Sequence, residues 1–192
     1  MRVTFLVSLI FGLGAFAAAA APAPEDKDYQ KIADQEEWKW VPEQASARNA
    51  AKNFKGDFRA EVVEKDTGGR KSAAVKFASG DDVVFTIEGH TETVFAGRDN
   101  IVYYADFSQI SSGCSVIAYD LKAKKQLWKT GLKGLGPIKH FQYRNQVILD
   151  IKDDAVHVRG NEAAGKYVEY LDLKTGKTVG HKVAEKVGGK DK

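Results

Sequence analysis

Three hydrophobic patterns follow one another along the chain. Val3 to Phe16 is a continuous apolar run, broken only by Thr4, Ser8 and two glycines. Residues 28–39 then carry Tyr29, Ile32 and Ala33 at helical spacing, with Asp28 placed as an N-cap and Pro42 as a limit. Glu43 to Asn53 leaves room for a second turn or two of helix before Phe54. From there the period falls to two. Phe58-x-Ala60-x-Val62, Ala73-x-Val75-x-Phe77 and Val83-x-Phe85-x-Ile87 alternate as half-buried strands do. Turn signals separate them: Asp66-Thr67-Gly68-Gly69, Ser79-Gly80-Asp81-Asp82 and Glu88-Gly89-His90. The same grammar continues to about Val183, and residues 184–192 read as a flexible, solvated tail.

Within the β-rich stretch the sequence repeats itself. Gly113-Cys114-Ser115-Val116-Ile117-Ala118-Tyr119-Asp120-Leu121-Lys122 aligns with Gly165-Lys166-Tyr167-Val168-Glu169-Tyr170-Leu171-Asp172-Leu173-Lys174, so that Asp120 and Asp172 stand 52 residues apart. Upstream, Asp99-Asn100-Ile101-Val102-Tyr103 answers Asp153-Asp154-Ala155-Val156-His157. Each unit reads as strand, Asp-Asp or Asp-Asn turn, strand, loop, strand, tight turn, strand. Four antiparallel strands per period is the blade of a β-propeller; a plain meander with two similar hairpins is the competing explanation. In the second tight turn Asp172 can accept from the turn amides, and Gly176 can take the positive φ that a type I turn with a G1 bulge demands. Lys124 holds the matching position in the first copy, where that φ costs a side chain more.

The run Ser115 to Lys129 resembles the pyrroloquinoline-quinone-like propeller repeat, a pattern of apolar, x, Ala, x, Asp, x, x, Thr, Gly, x, x, apolar, Trp. Ala118, Asp120, Leu127 and Trp128 match it in the first copy, and Asp172, Thr175, Gly176 and Val179 in the second. The resemblance covers roughly residues 93–183 in two copies. It implies that Trp128 docks against a neighbouring blade. Gly180 replaces that tryptophan in the second copy, which leaves the docking there unexplained. Activity does not follow from it, because the repeat serves quinoprotein dehydrogenases, outer-membrane assembly proteins and others alike.

Composition narrows the setting. Arg2, the apolar run and the small residues Ala17 to Ala21 form the three parts of a secretory signal peptide, residues 1–20, with Ala18-x-Ala20 as the cleavage site. An uncleaved anchor is the alternative, since Val3 to Ala21 approaches the roughly 20 residues that span a bilayer. Residues 21–53 then form a linker and short helical segment, and residues 54–183 one β-rich domain. Loss of Arg2 lowers the formal net charge of +3 by one, a balance that signals neither nucleic acid nor an acidic substrate. Cys114 is the sole cysteine, so no intramolecular disulfide forms and a buried, inert thiol is expected.

No residue set rises to a catalytic, metal or cofactor motif, and none is assigned. His90, His140, His157 and His181 are scattered without metal-ligand spacing. His157 lies between Val156 and Val158 and so points to the opposite face. Gly131 to Pro137 lacks the Gly-Lys-Ser/Thr of a phosphate loop, and Ser111-Ser112-Gly113 lacks the setting of a nucleophile elbow. Asp150, Asp153 and Asp154 lack the spacing of a calcium loop. The aromatic pair Trp38 and Trp40, and the faces shared by Tyr103 with Ala105 and Tyr167 with Glu169, suit packing or partner binding.

The expected protein is therefore all-β, an incomplete propeller-like or stacked antiparallel architecture with a short N-terminal helical segment. It is secreted or periplasmic, and its mature form does not span the membrane. It binds a protein, glycan or envelope component without catalysis, and can self-associate. The alternative is an exported hydrolase or redox accessory whose site only the fold assembles. Two recognisable blades cannot close a propeller, so the segment from Tyr29 to Phe54 is expected to cover an exposed edge.

Overall fold

The computed structural model describes residues 27–37, 47–67, 70–88, 95–106, 114–133, 147–162 and 165–183. The leader, Trp38, Trp40, His90, His140, Ser111 to Gly113, Gly134 to Pro137 and the tail lie outside them. The fold is all-β with two short helices, α1 (Tyr29–Gln35) and α2 (Ala47–Asn53). Three antiparallel sheets follow in chain order. The first comprises β1 (Arg59–Thr67), β2 (Arg70–Ser79) and β3 (Asp82–Ile87); the middle one β4 (Phe95–Arg98), β5 (Ile101–Asp106), β6 (Ser115–Asp120) and β7 (Lys125–Gly131); the last one β8 (Val147–Lys152), β9 (Ala155–Glu162), β10 (Gly165–Asp172) and β11 (Thr178–Val183). Each is a simple meander, so every pairing joins strands consecutive in sequence.

The sheets stack face to face because alternation gives the middle sheet two apolar faces. Val102, Tyr104 and Tyr119 meet Val75, Phe77 and Phe85 of the first sheet. There Phe85 stacks on Tyr119 with ring centroids 3.9 Å apart, and Phe77 meets Phe95 edge-on at 5.4 Å. The opposite face, with Tyr103, Val116, Ala118 and Trp128, packs on Val156, Val158, Tyr167 and Leu171 of the last sheet. Such area-rich aromatic contacts supply most of the driving force for the stack.

The turns hold their expected conformations. Asp99 and Asn100 both take positive φ, 51° and 68°, as a two-residue hairpin with primed geometry requires. Asp120 Oδ1 accepts from Ala123 N–H at 2.8 Å, and Asp172 Oδ1 from Thr175 N–H at 2.7 Å. Lys124 and Gly176 end these turns in the left-handed region, at 52° and 71°. The matching backbone donors Leu121 and Leu173 reach the carbonyls of Asn100 and Asp154 at 2.9 and 2.8 Å, tying each tight turn to the hairpin two strands earlier.

Two positions depart from the sequence pattern. Val83 was expected inward with Phe85 and Ile87, yet it is 53% exposed. The register between β2 and β3 slips between Phe77 and Ala78, and this bulge turns Val84 and Phe85 to the same face, sending Val83 outward. Ile32 was grouped with Tyr29 and Ala33, but only those two, four residues apart, meet the sheet; Ile32 stays exposed at the flank of α1.

Candidate functional site

Two places concentrate polar side chains against the stack. The first lies beneath α1. Asp28 caps this helix, its Oδ1 accepting from Lys31 N–H at 3.0 Å. Glu36 follows the helix in an extended conformation, which sends its carboxylate across the last sheet. There Oε2 accepts from Tyr170 OH at 2.5 Å and lies 2.9 Å from His157 Nε2. His157 stacks flat on Tyr170, with centroids 4.6 Å apart and planes 13° from parallel, and Tyr29 leans on Tyr170 at 5.2 Å.

Electrostatics make this a clamp. Burial alone would raise the Glu36 carboxyl, but the hydrogen bonds from His157 and Tyr170 outweigh it and hold it at about 2. Burial pushes His157 below its ordinary value against the pull of Glu36, so a neutral imidazole donates Nε2–H to a carboxylate. Burial and the Glu36 charge both raise the Tyr170 phenol. His157 is wholly buried, and its Nδ1 has no partner among the described residues. The arrangement fastens α1 to β9 and β10 instead of facing a substrate. His157 does point away from Val156 and Val158, but α1 covers that face.

The second place is a groove of about 790 Å³ where α2 meets the neighbouring edge strands β4 and β8. Lys55, Arg98 and Arg159 line it together with Asp99 and Asp150, and Phe54 forms an aromatic wall. Arg98 donates to the Asp153 carbonyl, bridging the middle and last sheets. Arg159 Nε is buried without an acceptor among the described residues. Asp150 Oδ1 accepts from Ile151 N–H at 2.8 Å, so that N–H points away from β9.

The other candidate residues disperse. Asp153 pairs with Lys27 at 2.5 Å, and the Asp154 carbonyl accepts from Leu173, so the three aspartates serve three different partners. Cys114 is buried at 1% exposure, and burial pushes its thiol far up, as befits an inert packing residue. His181 is held through its backbone: its carbonyl accepts from Gln30 Nε2 at 2.9 Å and its N–H donates to Gln30 Oε1 at 3.2 Å. Tyr103, Ala105 and Tyr167 pack between sheets.

Sequence reasoning missed Glu36, since nothing local links it to residues over a hundred positions away. It also passed over Glu169 as a site of its own. That carboxylate is fully buried between the last two sheets, accepting from Lys133 N–H at 2.9 Å and Thr178 Oγ1 at 2.7 Å, and burial raises it. A charged residue inside Tyr167-x-Glu169-x-Leu171 was its one available signal.

Stacked four-stranded meanders of this kind define a propeller-type architecture. No protein-family model matches the chain, and no curated protein matches it. Among solved structures, the crystal structure of BamB from Moraxella catarrhalis is similar at a TM-score of 0.40 and 15% identity, over 67% of this chain. The chain spans 39% of the length of that protein.

Proposed function

We propose that this is an exported, non-catalytic binding or scaffold protein built from two pyrroloquinoline-quinone-like repeats and a shorter first sheet. Its N-terminal helices serve as covers. Arg2, the apolar run and Ala18-x-Ala20 support export. Trp128, the tryptophan of the repeat pattern, supports the repeat assignment by docking on the following blade. The observation that carries the binding reading is the contrast between the two polar sites. The histidine–carboxylate pair is sealed under α1, whereas the groove at the inner strand edges is open and lined with charged side chains.

A photo-crosslinking amino acid placed at Lys55, on the groove rim, tests this in the native cell envelope. The reading expects a discrete adduct from position 55 and none from Lys122, which is exposed in the β6–β7 turn away from the groove. Equal labelling at both positions, or none at 55, would overturn it.

A further inference from the structure

The groove and the strand beside it together point to a class of ligand. In the β8–β9 hairpin, Ile148, Asp150 and Lys152 stand opposite Arg159, His157 and Ala155. The two-residue turn makes Lys152 and Ala155 a hydrogen-bonded pair, so every second residue of β8 bonds to β9. Val147, Leu149 and Ile151 therefore turn their backbone groups the other way. The Ile151 N–H, taken by Asp150 Oδ1, shows this direction directly. β8 ends its sheet, and Leu149 lies in the groove wall. Its N–H and C=O thus turn away from β9, on the groove side of the strand.

The charge of the groove acts alongside the strand edge. Lys55, Arg98 and Arg159 outnumber Asp99 and Asp150, and Asp150 already serves its own strand. Arg98 spends one N–H on the Asp153 carbonyl. Arg159 retains a buried Nε–H without an acceptor among the described residues, a donor that costs free energy until an acceptor reaches it. Arg159 stands opposite Ile148 on the same face of the sheet. A strand added beside β8 would lie two strand spacings from β9, roughly 9.6 Å, within the combined reach of an arginine and a glutamate.

Resting on the binding reading above, we propose that the groove accepts an extended acidic peptide segment of a partner protein. The segment adds as a strand along β8 and places a carboxylate on Arg159. Main-chain pairing gives affinity and the guanidinium gives the preference for acid, the division of labour usual in strand addition. The volume suits a short segment rather than a folded domain.

The test titrates the chain beginning at Ala21 with labelled hexaglutamate, with the same peptide N-methylated at alternate residues, and with tetragalacturonate. Hexaglutamate should bind, and both alternate N-methylation and Arg159→Gln should weaken it by about tenfold or more. Lys55→Glu, at an exposed position that leaves the core intact, should also weaken it, which keeps the test sound if Arg159→Gln folds poorly. The proposal is overturned if hexaglutamate does not bind, if N-methylation is without effect, or if tetragalacturonate binds more tightly. Any of these with the position-55 adduct intact leaves the protein a binder of something else; loss of that adduct removes the binding reading itself.

Discussion

On one face of the last sheet the middle sheet lays Trp128 over Gly176; on the other, α1 lays the backbone of its first residue over Gly180. The two covers use the same device, a glycine of the last sheet that leaves room for the covering group. Trp128 donates Nε1–H to the Leu173 carbonyl at 3.0 Å, and Thr130 Oγ1 donates to the Gly176 carbonyl at 2.7 Å. A Cβ on Gly176 would come within 2.6 Å of the indole, so this glycine serves both its positive φ and the close approach of the ring. Gly180 stands at the position that aligns with Trp128 in the sequence, and a Cβ there would run into the Tyr29 carbonyl group. The absence of a side chain at this position leaves room for α1. It opens the seat on which α1 ends the stack, with Tyr29, Ala33, Ala155, Val168 and Tyr170 as a small core of their own. Among the described residues α1 thus covers the outer face of the last sheet, the role a capping element plays in a repeat array.

Of the two covers, the one at Trp128 is the more sensitive to substitution. Trp128→Ala removes a buried indole and its hydrogen bond between sheets, and should lower stability by about 3–5 kcal/mol in chemical denaturation. A loss no greater than that of a surface change would take the residue out of the junction.

Acid should act on the α1 junction. Glu36 is held at about 2 against an ordinary 4.5, and His157 lies below its ordinary 6.5. Both folded values are depressed, so the stability these groups contribute is complete above pH 6.5. It declines first below pH 6.5, where the unfolded chain takes up the proton that buried His157 resists, then as pH falls from 4.5 toward 2 and Glu36 is neutralised. The Glu36 share is on the order of 3 kcal/mol. Thermal midpoints measured across this range should fall more gently in Glu36→Gln than in the parent, and parallel curves would contradict the clamp.

Filling the seat is a smaller perturbation. Gly180→Val should cost about 1–3 kcal/mol by forcing Tyr29 off β11. Amide hydrogen exchange at His181, whose N–H is held by Gln30, should then quicken. Unchanged protection would mean that α1 does not depend on this glycine.

The smallest effect is expected at Lys124, at 52° the counterpart of Gly176. Lys124→Gly relieves roughly 1 kcal/mol of left-handed strain and loses a similar amount to unfolded-state entropy, so the midpoint should stay level or rise slightly. A clear loss would show that the lysine side chain itself supports the turn.

The strands and their turns could be read from the chain because they rest on local rules. Alternation placed Val75, Phe77 and Tyr103 inward, and Asp172 with Gly176 announced its turn. The aspartate cap of α1 was legible for the same reason. The bulge that expels Val83 was not, since a register slip leaves no mark in an alternating run. Of the candidate sites almost nothing was legible. Glu36 and His157 meet only because a glycine lets α1 settle on β11, and Arg98, Arg159 and Lys55 reach one groove from three separate elements. Long-range placement of this kind carries no spacing signature.

That α1 stands in for a further blade is tested most directly by the thermal midpoint of a chain beginning at residue 38, set beside that of a chain beginning at Ala21. Removing the helix uncovers Tyr170, Val168 and Ala155 and leaves the buried His157 without Glu36. The account predicts a midpoint lower by at least about 6 °C, the equivalent of roughly 3 kcal/mol in a domain of this size. An unchanged midpoint would mean that the last sheet needs no cover, and that α1 merely rests upon it.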